Sequence, residues 1–495
     1  MLPYPPLLLK DFYKVDHRSQ YPEGLDYVYS NETPRMSRIP TIDKVISQGF
    51  MYPLKEFLIR QMNENFFNLP REKAVSAYKR VIDFSLGLNA ISFEHIGELH
   101  DLGYLPLKIK VIPEGSLVNI KIPLFTIQST HKRFGWLVNM WETLLSCCTW
   151  PAITSATTAF EYRKLLTRYA IATGGNLDFV RFQAHDFSMR GMMGPEAACI
   201  SGGAHLTSFY GTDTIPAILF LENYYGANIE KELVGTSVYA TEHSVMCMGG
   251  REGEFDIYRR LLTEVYPDKE IVSIVSDTYD LWNVLTNYLP RLKNIIMNRT
   301  GKLVIRPDSG DPVDIICGDP TKDPSTPEGK GVIQLLWEVF GGTLNKQGFK
   351  QLDKSVGAIY GDSITLLRAE QILHRLAQKK FASDCIVLGV GSYTYTYVTR
   401  DTFGLAMKAT HAKIDGVPRE IFKDPATDGG KAAKKSAKGL LKVTYDKDTK
   451  DYTLHQSVTP EEEEQGELVT VFENGKMVRE FTLAEIRARI DSHLV

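Results

Sequence analysis

Short apolar runs alternate with amphipathic stretches along the chain from about residue 156 onward. The runs stop abruptly at polar or charged residues, as buried strands do, and they cover 177–182, 205–210, 236–240, 270–275, 302–305, 356–360, 385–388 and 403–407. Helical apolar spacing lies between several of them, at 162–169, 252–265, 279–289, 332–340 and 364–377. Apolar strands that alternate with helices indicate a parallel sheet. About eight such units predict an α/β barrel, irregular because some gaps are too short for a full helix.

The segments on either side of this region have a mixed pattern. Helical spacing is found at 53–62, 72–86 and 134–145, strand-like alternation at 107–112 and 117–127, and hairpin patterns at 441–456 and 468–481. Thr482 and Glu485 fit a capping box that opens a final helix. We therefore predict an α/β chain in three parts: a mixed α+β part at 1–150, a barrel with most of the functional site at 151–408, and a tail at 409–495. The tail is expected to pack with the first part as a second domain.

Composition limits the classes of partner. The chain has 495 residues, enough for more than one domain, and its formal net charge of −3 gives no reason to expect a nucleic-acid partner. No run approaches the ~20 apolar residues of a membrane span, and residues 1–10 do not have the pattern of a signal peptide. The 6 cysteines form no Cys-x-x-Cys pair, which argues against zinc ribbons and dithiol redox motifs. We expect a cytoplasmic protein with reduced thiols and no membrane association.

Polar residues follow the apolar runs where each predicted strand ends. In α/β barrels the carboxyl ends of the strands gather at one face, and catalytic residues lie there. Taken singly, each residue is more simply explained as a cap or an ion-pair partner, but taken as a ring they favour an active site. The ring consists of His185, Arg190, Asp213, Glu242, His243, Asp277, Arg306, Asp308 and Asp362.

The residue types in this ring suit a phosphorylated sugar. The run at 303–305 ends at Arg306 and Asp308, where a guanidinium can fork onto phosphate oxygens and a carboxylate can accept hydrogen bonds from a ribose diol. Other candidate groups are the cations Arg190, Arg400 and Lys408, the acid Asp362, the backbone amides around Gly391 and Ser392, and the aromatic rings of Phe187 and Tyr13. Phosphate, ribose, diphosphate and a flat base are the parts of a phosphoribosyl transfer.

The familiar motifs for such chemistry are absent from the sequence. The usual diphosphate-ribose loop, two acids followed by Thr-Gly-Gly, does not occur, and neither does a Walker loop, a zincin motif or a nucleophile elbow. A different phosphoribosyltransferase architecture is therefore required.

A set of short motifs occurs in one order along almost the whole chain. They are DFYKV at 11–15, HDFSMRG at 185–191, GTDT at 211–214, EHS at 242–244, VSDTYD at 275–280, IRPDSG at 305–310, GD at 361–362, TRD at 399–401 and FKDP at 422–425. The set closely resembles the nicotinamide phosphoribosyltransferase family. The chain departs from that family's pattern at Val390, Ser392 and Tyr393, where glycines are usual, and at Ala406, where a serine is usual.

The resemblance implies a type II phosphoribosyltransferase fold and a homodimer whose active sites are shared between subunits. It implies that the enzyme forms nicotinamide mononucleotide and diphosphate from nicotinamide and phosphoribosyl diphosphate, in NAD salvage. It further implies a requirement for Mg²⁺ and a turnover stimulated by ATP.

The resemblance also implies a role for each motif residue. Phe187 and Tyr13 of the partner subunit would sandwich the pyridine ring, and Asp213 would accept a hydrogen bond from the carboxamide. His243 would be phosphorylated during ATP use, and Glu242 would orient it. The remaining expected contacts are Arg190, His243 and Arg306 at the diphosphate, Asp308, Gly361 and Asp362 at the ribose, Gly391, Ser392, Arg400 and Lys408 at the 5′-phosphate, Arg35 and Lys423 at the phosphates, and Ser273 and Asp277 along a channel to the pyridine.

Two alternatives remain open at the level of sequence. One is nicotinate phosphoribosyltransferase, in which the same chemistry acts on the other base; Asp213 argues against it because a carboxylate would repel nicotinate. The second is a non-catalytic nucleotide-binding protein, which the presence of both His243 and Arg306 disfavours.

Overall fold

The computed structural model describes residues 5–361, 364–422 and 436–494. The strands, numbered in chain order, are β1 Leu25–Pro34, β2 Lys44–Ile46, β3 Leu107–Val111, β4 Leu117–Asn119, β5 Phe125–Ser129, β6 Ala184–Asp186, β7 Tyr239–Ala240, β8 Val272–Val275, β9 Leu303–Arg306, β10 Gly342–Leu344, β11 Lys350–Leu352, β12 Val356–Tyr360, β13 Ile386–Val390, β14 Leu405–Ile414, β15 Val417–Glu420, β16 Leu440–Asp446, β17 Asp451–Val458, β18 Val469–Glu473 and β19 Lys476–Met477.

Helices separate most of the strands. The longer ones are Arg71–Leu86, Glu94–Leu102, Glu142–Thr173, Pro195–His205, Ile215–Tyr225, Gly250–Arg260, Leu289–Asn298, Val332–Phe340, Leu366–Gln378 and Leu483–Ser492. Shorter or more loosely wound helical segments include Leu54–Gln61, Asp178–Phe182, Met189–Gly191, His243–Cys247, Leu261–Val265, Val284–Tyr288, Pro312–Cys317 and Ser392–Thr396. The helices predicted at 53–62, 72–86, 252–265, 332–340 and 364–377 are confirmed, with ends that differ by a few residues. The stretch at 162–169 is part of the much longer helix Glu142–Thr173, the stretch at 134–145 is divided between Leu137–Met140 and the start of that helix, and the stretch at 279–289 continues to Asn298.

A parallel sheet forms the centre of the molecule. Its order is β6-β13-β12-β9-β8-β7, and every pairing in it is parallel. Single parallel bridges join Asp186 to Thr212 and Gly211 to Thr236. These bridges place the segment around Gly211 between β6 and the chain that enters β7, so the sheet curls round towards closure. The predicted irregular α/β barrel is confirmed, but the runs at 177–182 and 205–210 are not strands of it: Asp178–Phe182 is a short helix that precedes β6, and His205 ends the helix Pro195–His205.

The run at 403–407 does not belong to this barrel, so its prediction as an eighth barrel strand was wrong. It lies at the start of β14, which pairs antiparallel with β1. The run is apolar because this part of β14 is buried on both faces, and a short apolar run cannot distinguish a buried parallel strand from a buried antiparallel one.

A second, antiparallel sheet joins the two ends of the chain. Its order is β15-β14-β1-β5-β3-β18-β19, so strands from before residue 130 pair with strands from after residue 404. The expected packing of the tail with the first part of the chain is confirmed. The proposed boundary at 150 falls within the helix Glu142–Thr173, and the boundary at 408 falls within β14. Thr482 and Glu485 form the predicted capping box.

Two apolar cores hold these layers together. One fills the antiparallel part and includes Trp136 and Trp141; the other surrounds the parallel sheet. The helix Glu142–Thr173 contributes to both, with Phe160 in the first and Tyr162 in the second, so it fixes the barrel against the antiparallel domain. Within the described part of the chain, no helix combines the length and apolar character required to cross a membrane.

Candidate active site

The carboxyl ends of the parallel strands carry the polar ring that the sequence predicts. A cavity of about 910 Å³ begins there, where Phe187, Asp213 and Arg306 line it. It continues along the sheet to Lys302 and Ile386 at the amino ends of β9 and β13. The interior is therefore an open channel, whereas side chains fill the centre of most α/β barrels.

Asp213 is held in place from two directions. His185 Nε2 donates to its Oδ1 over 2.8 Å, and Ser237 Oγ donates to the same oxygen over 2.7 Å. Burial disfavours the ionised carboxylate, but the hydrogen bonds from His185 and Ser237 and the charge of Arg306 outweigh it, and the pKa of Asp213 lies below its usual value. An ionised acceptor therefore faces the cavity at neutral pH.

Phe187 forms one wall of the cavity beside Asp213. Its ring lies 4.6 Å from the ring of His185, centroid to centroid. A Cβ atom on Gly389 would come within 2.8 Å of both Phe187 Cδ2 and the carbonyl oxygen of Tyr360. A glycine in β13 therefore leaves room for the aromatic plate.

Arg306 and Asp308 lie at the end of β9, as predicted. Arg306 donates to the Thr241 carbonyl oxygen over 2.7 Å, while its buried Nε atom has no hydrogen-bond partner among the described residues. A Cβ on Gly361 would lie 3.1 Å from Asp308 Oδ1, so the ends of β9 and β12 approach closely. The missing side chain at Gly361 leaves the Asp308 carboxylate accessible.

Asp277 links two loops of this face. His243 Nε2 lies 3.2 Å from its Oδ1, while the Asp308 backbone N–H and the Ser309 hydroxyl donate to its Oδ2 over 3.1 and 2.5 Å. The expectation that Glu242 orients His243 is not what the structure shows: Glu242 accepts from Ser244 instead. Glu242 precedes the helix that begins at His243, and the imidazole meets Asp277, at the end of another strand, instead.

Two family models match the chain. The model of the Nicotinate phosphoribosyltransferase (NAPRTase) family matches residues 182–476, and the model of the Nicotinamide phosphoribosyltransferase N-terminal domain matches residues 6–109. A nicotinamide phosphoribosyltransferase of Acinetobacter baylyi is 54% identical over 99% of this chain and 97% of its own length. This chain belongs to the nicotinamide phosphoribosyltransferase family.

More distant relatives agree with that family membership. Nicotinamide phosphoribosyltransferases of Mycoplasma pneumoniae and Xanthomonas campestris are 36% and 33% identical, over 85% and 98% of this chain and 92% and 98% of their own lengths.

Solved structures show the same fold. The nicotinate-nucleotide pyrophosphorylase of Pyrococcus furiosus matches with a TM-score of 0.58 at 14% identity, covering 99% of this chain and 95% of that one. Human nicotinic acid phosphoribosyltransferase matches with a TM-score of 0.55 at 16% identity, covering 98% and 93%. The predicted type II phosphoribosyltransferase fold is confirmed.

The barrel brings most of the family's expected site residues to one face. Ser273 lines the channel as predicted, whereas Asp277 binds His243 and the loop after β9. Arg190 lies in the segment Met189–Gly191, and a Cβ on Gly191 would meet the Ser392 side chain. Arg190 and Ser392 are therefore on adjacent loops. Asp362 and Lys423 lie outside the described residues.

A second group of cations lies on the antiparallel domain and does not line the channel. Arg35 and Arg400 are close enough to Lys408 for their charges, after burial, to lower its pKa, although Glu142 opposes them. Lys14 pairs with Glu142 over 2.6 Å, and the neighbouring Tyr13 is 63% exposed. Sequence reasoning missed the acid in this group because Glu142 lies in a helix whose apolar pattern marked it as core.

Sequence reasoning also assigned no role to His185 and Ser237, which hold Asp213. His185 belonged to the predicted ring, but its partner became visible only when β6 and the segment around Gly211 came together. Ser237 had no signal, since serines are frequent in loops.

Proposed function

We propose that this protein transfers the phosphoribosyl group of phosphoribosyl diphosphate to nicotinamide, which yields nicotinamide mononucleotide and diphosphate in NAD salvage. The observation that carries this proposal is the convergence of Phe187, Asp213 and Arg306 on one channel. A flat ring would stack on Phe187, its amide would donate to Asp213, and an anion would lie at Arg306. The relationship to named nicotinamide phosphoribosyltransferases supports the same reaction.

The proposed chemistry requires charge stabilisation more than a nucleophilic side chain. Breakage of the anomeric bond builds positive charge on the ribose and negative charge on the departing diphosphate. Arg306 and Arg190, with His243, would stabilise the leaving group, while Asp308 would hold the ribose hydroxyls. Stacking on Phe187 would align the weakly nucleophilic pyridine nitrogen with the anomeric carbon.

Magnesium fits this site only in partnership with the substrate. Among the described residues no group of three or more His, Cys, Asp or Glu side chains could hold a metal ion. Asp308 offers one carboxylate, and diphosphate oxygens would provide further ligands. When bound, Mg²⁺ would neutralise charge on the diphosphate.

We further propose that ATP stimulates turnover through a phosphohistidine at His243. The imidazole is exposed, and Asp277 holds its Nε2, so Nδ1 is directed away from that contact. We expect His243→Ala to lose ATP stimulation and to retain a slow basal transfer. Rates measured with and without ATP, with Ser244→Ala as a neighbouring control, test this; ATP stimulation that survives in His243→Ala would contradict it.

A homodimer completes the proposed site. Tyr13, Arg400 and Lys408 are exposed, and none of them lines the channel of its own chain. In a twofold dimer every contact that one subunit makes with its partner is repeated in the opposite direction. Each subunit would therefore supply these side chains to the channel of the other. We propose a cytoplasmic dimer without nucleic-acid or membrane partners.

The test of the reaction is direct detection of product. Purified protein with Mg²⁺, nicotinamide and phosphoribosyl diphosphate should form nicotinamide mononucleotide and diphosphate, resolved by liquid chromatography. An Arg306→Ala variant of equal stability serves as the control for contaminating activity. Absence of product with the wild-type protein would instead favour the non-catalytic nucleotide-binding alternative.

Nicotinate phosphoribosyltransferase is the second candidate, since the family model of that name covers residues 182–476. The ionised Asp213 disfavours it, because the carboxylate of nicotinate would face a like charge at this side of the cavity. Parallel assays with the two bases separate these candidates.

A further inference from the structure

A buried polar chain runs through His205, which the transfer chemistry does not use. Its Nδ1 lies 2.6 Å from the hydroxyl of Tyr395, and its Nε2 lies 3.1 Å from the carbonyl oxygen of Gly211. His205 is fully buried, and Tyr395 is 4% exposed. Buried polar groups in this arrangement are costly to leave without partners.

The geometry determines the direction of both hydrogen bonds. A carbonyl oxygen can only accept, so Nε2–H of His205 donates to Gly211. Nδ1 is then the acceptor of the neutral imidazole, and the Tyr395 hydroxyl donates to it. Burial lowers the pKa of His205 and raises that of Tyr395, so both groups are neutral. Each donor then has an acceptor, since Tyr395 donates to His205 and His205 donates to Gly211.

The two ends of this chain lie at different parts of the proposed site. Tyr395 belongs to the short helix Ser392–Thr396, which begins just after Gly391, the position expected at the 5′-phosphate. Gly211 lies two residues before Asp213, whose carboxylate would accept from the amide of the base. The Gly211 carbonyl also accepts from the Asp186 backbone N–H over 3.1 Å, which fixes it within the sheet.

The same short helix is tied to a third loop. The Thr394 hydroxyl donates to the Ile364 carbonyl oxygen over 3.4 Å, and the Tyr162 hydroxyl donates to that oxygen over 2.5 Å. Ile364 is three positions along the sequence from Gly361, the expected ribose contact. One helix of 5 residues therefore makes contacts that lead to the phosphate, base and ribose loops.

We propose that the buried Tyr395–His205 hydrogen bond positions the phosphate-binding loop against the base-binding strand, which makes Tyr395 and His205 positioning residues for phosphoribosyl diphosphate. This inference rests on the proposed transfer reaction. Neither side chain lines the channel, so the effect is exerted through the backbone of the loop.

Two substitutions break the bond with little change in shape. Tyr395→Phe removes only the hydroxyl, and His205→Leu removes the acceptor that Tyr395 requires, while the Gly211 carbonyl oxygen keeps its hydrogen bond from the Asp186 backbone N–H. We expect each to raise the KM for phosphoribosyl diphosphate about fivefold to tenfold, in line with the loss of one buried hydrogen bond. The KM for nicotinamide should change less than twofold, and the double variant should be no worse than either single one.

The matched control is Tyr29→Phe, which removes another fully buried tyrosine hydroxyl, one that donates to Glu463 over 3.3 Å in the antiparallel domain. Thermal unfolding of all variants shows the general cost of such a loss. If Tyr395→Phe lowers the melting temperature like Tyr29→Phe but leaves the KM for phosphoribosyl diphosphate unchanged, the positioning role is overturned.

Additive effects in the double variant, or an equal rise in both KM values, would overturn the inference as well. If Tyr395→Phe fails to fold, His205→Leu alone decides by the same two KM values. An inactive wild-type protein would defeat the proposed reaction itself, whereas an active wild type with unaltered variants would defeat only the positioning role.

Discussion

At the scale of single residues, two carboxylates lie in contrasting environments, one in the site and one in the antiparallel domain. Asp213 is ionised because its hydrogen bonds outweigh its burial. Glu32, on β1, is fully buried against the helix Glu142–Thr173, where burial raises its pKa to about 7 despite a hydrogen bond from Thr149. The first residue can select a substrate, while the second makes stability depend on pH.

We expect Asp213→Asn to relax the preference for nicotinamide over nicotinate. The amide side chain still accepts a hydrogen bond but no longer repels the nicotinate carboxylate, so the ratio of kcat/KM values should fall about 10-fold to 100-fold. Steady-state kinetics with both bases measure this ratio. Ser237→Ala, which leaves the carboxylate in place, is the matched control; unchanged selectivity in Asp213→Asn would exclude Asp213 as the selector.

We expect Glu32→Gln to remove a pH-dependent loss of stability. The pKa of Glu32 is raised from 4.5 to about 7, so the folded state retains its proton in this window while the unfolded state loses it. The contribution of protonated Glu32 to the free energy of unfolding is therefore fully present below about pH 4.5 and is lost as the pH rises through about 7. Since one pKa unit corresponds to about 1.4 kcal/mol, the loss is about 3 kcal/mol.

Calorimetric melting at pH 5 and pH 8 tests this expectation. The difference in stability between Glu32→Gln and the wild type should favour the variant more at pH 8 than at pH 5. Glu161→Gln, in the helix Glu142–Thr173 where the carboxylate pairs with Lys164, should show no such difference. A stability difference independent of pH would show that Glu32 does not titrate in this range.

At the scale of elements, short loops after parallel strands place the reacting groups. Glycines lie near the ends of β13 and β12, where the backbones approach other residues closely: Gly389, the last residue but one of β13, lies against Phe187, and Gly361, just after β12, lies against Asp308. Strand termini are held by the sheet's hydrogen bonds, so they offer a rigid support from which only the following residues extend. The alternation of Lys302, Val304 and Arg306 along β9 directs all three to the channel.

We expect Gly389→Ala to weaken nicotinamide binding more than phosphoribosyl diphosphate binding. The added methyl would lie 2.7 Å from Gly361 Cα and 2.8 Å from the Phe187 ring, so the ring must move. Overpacking of this kind costs about 1–3 kcal/mol, and the KM for nicotinamide should rise accordingly. Gly253→Ala, whose methyl meets nothing within 4 Å, is the control; equal effects of the two substitutions would contradict this account.

At the scale of the whole molecule, the first and last parts of the chain form one antiparallel sheet beside the barrel. That sheet carries Arg35 on the loop after β1, Arg400 just before β14 and Lys408 near the start of β14. Its cations do not line the channel of the same chain, while Glu142 and Lys14 beside them form an ion pair. If the barrel binds base and diphosphate as proposed, a sheet that offers further cations is what a site shared between subunits would require.

We expect complementation between two inactive variants, Asp213→Ala and Arg400→Ala. In a mixed dimer one site carries both defects and the other carries none, so random mixing should restore about a quarter of wild-type activity. Mixing after partial unfolding, or co-expression, followed by product assay measures this. Activity no greater than the sum of the two separate variants would show that Arg400 does not act across a subunit boundary.

The predicted fold and ring followed from local rules that hold wherever an apolar strand ends in a polar residue. Val332–Phe340 was predicted to the residue because its helical spacing is undisturbed, and the hairpin turn at Asn474-Gly475 lies between β18 and β19. The run at 403–407 was misplaced because parallel and antiparallel partners require the same apolar residues. Glu242 was misassigned because a neighbour in sequence need not be a neighbour in space.

The sequence by itself determined the alternation of strands and helices, the ring of polar residues at the strand ends and the family that these residues indicate. Those properties depend on side-chain type and spacing, which the chain carries before it folds. Only the tertiary structure decided that Asp277 meets His243, that His185 holds Asp213, that the barrel interior is open and that Tyr395 reaches His205. The contacts join residues far apart along the chain, and both these contacts and the open interior depend on how the whole sheet curls.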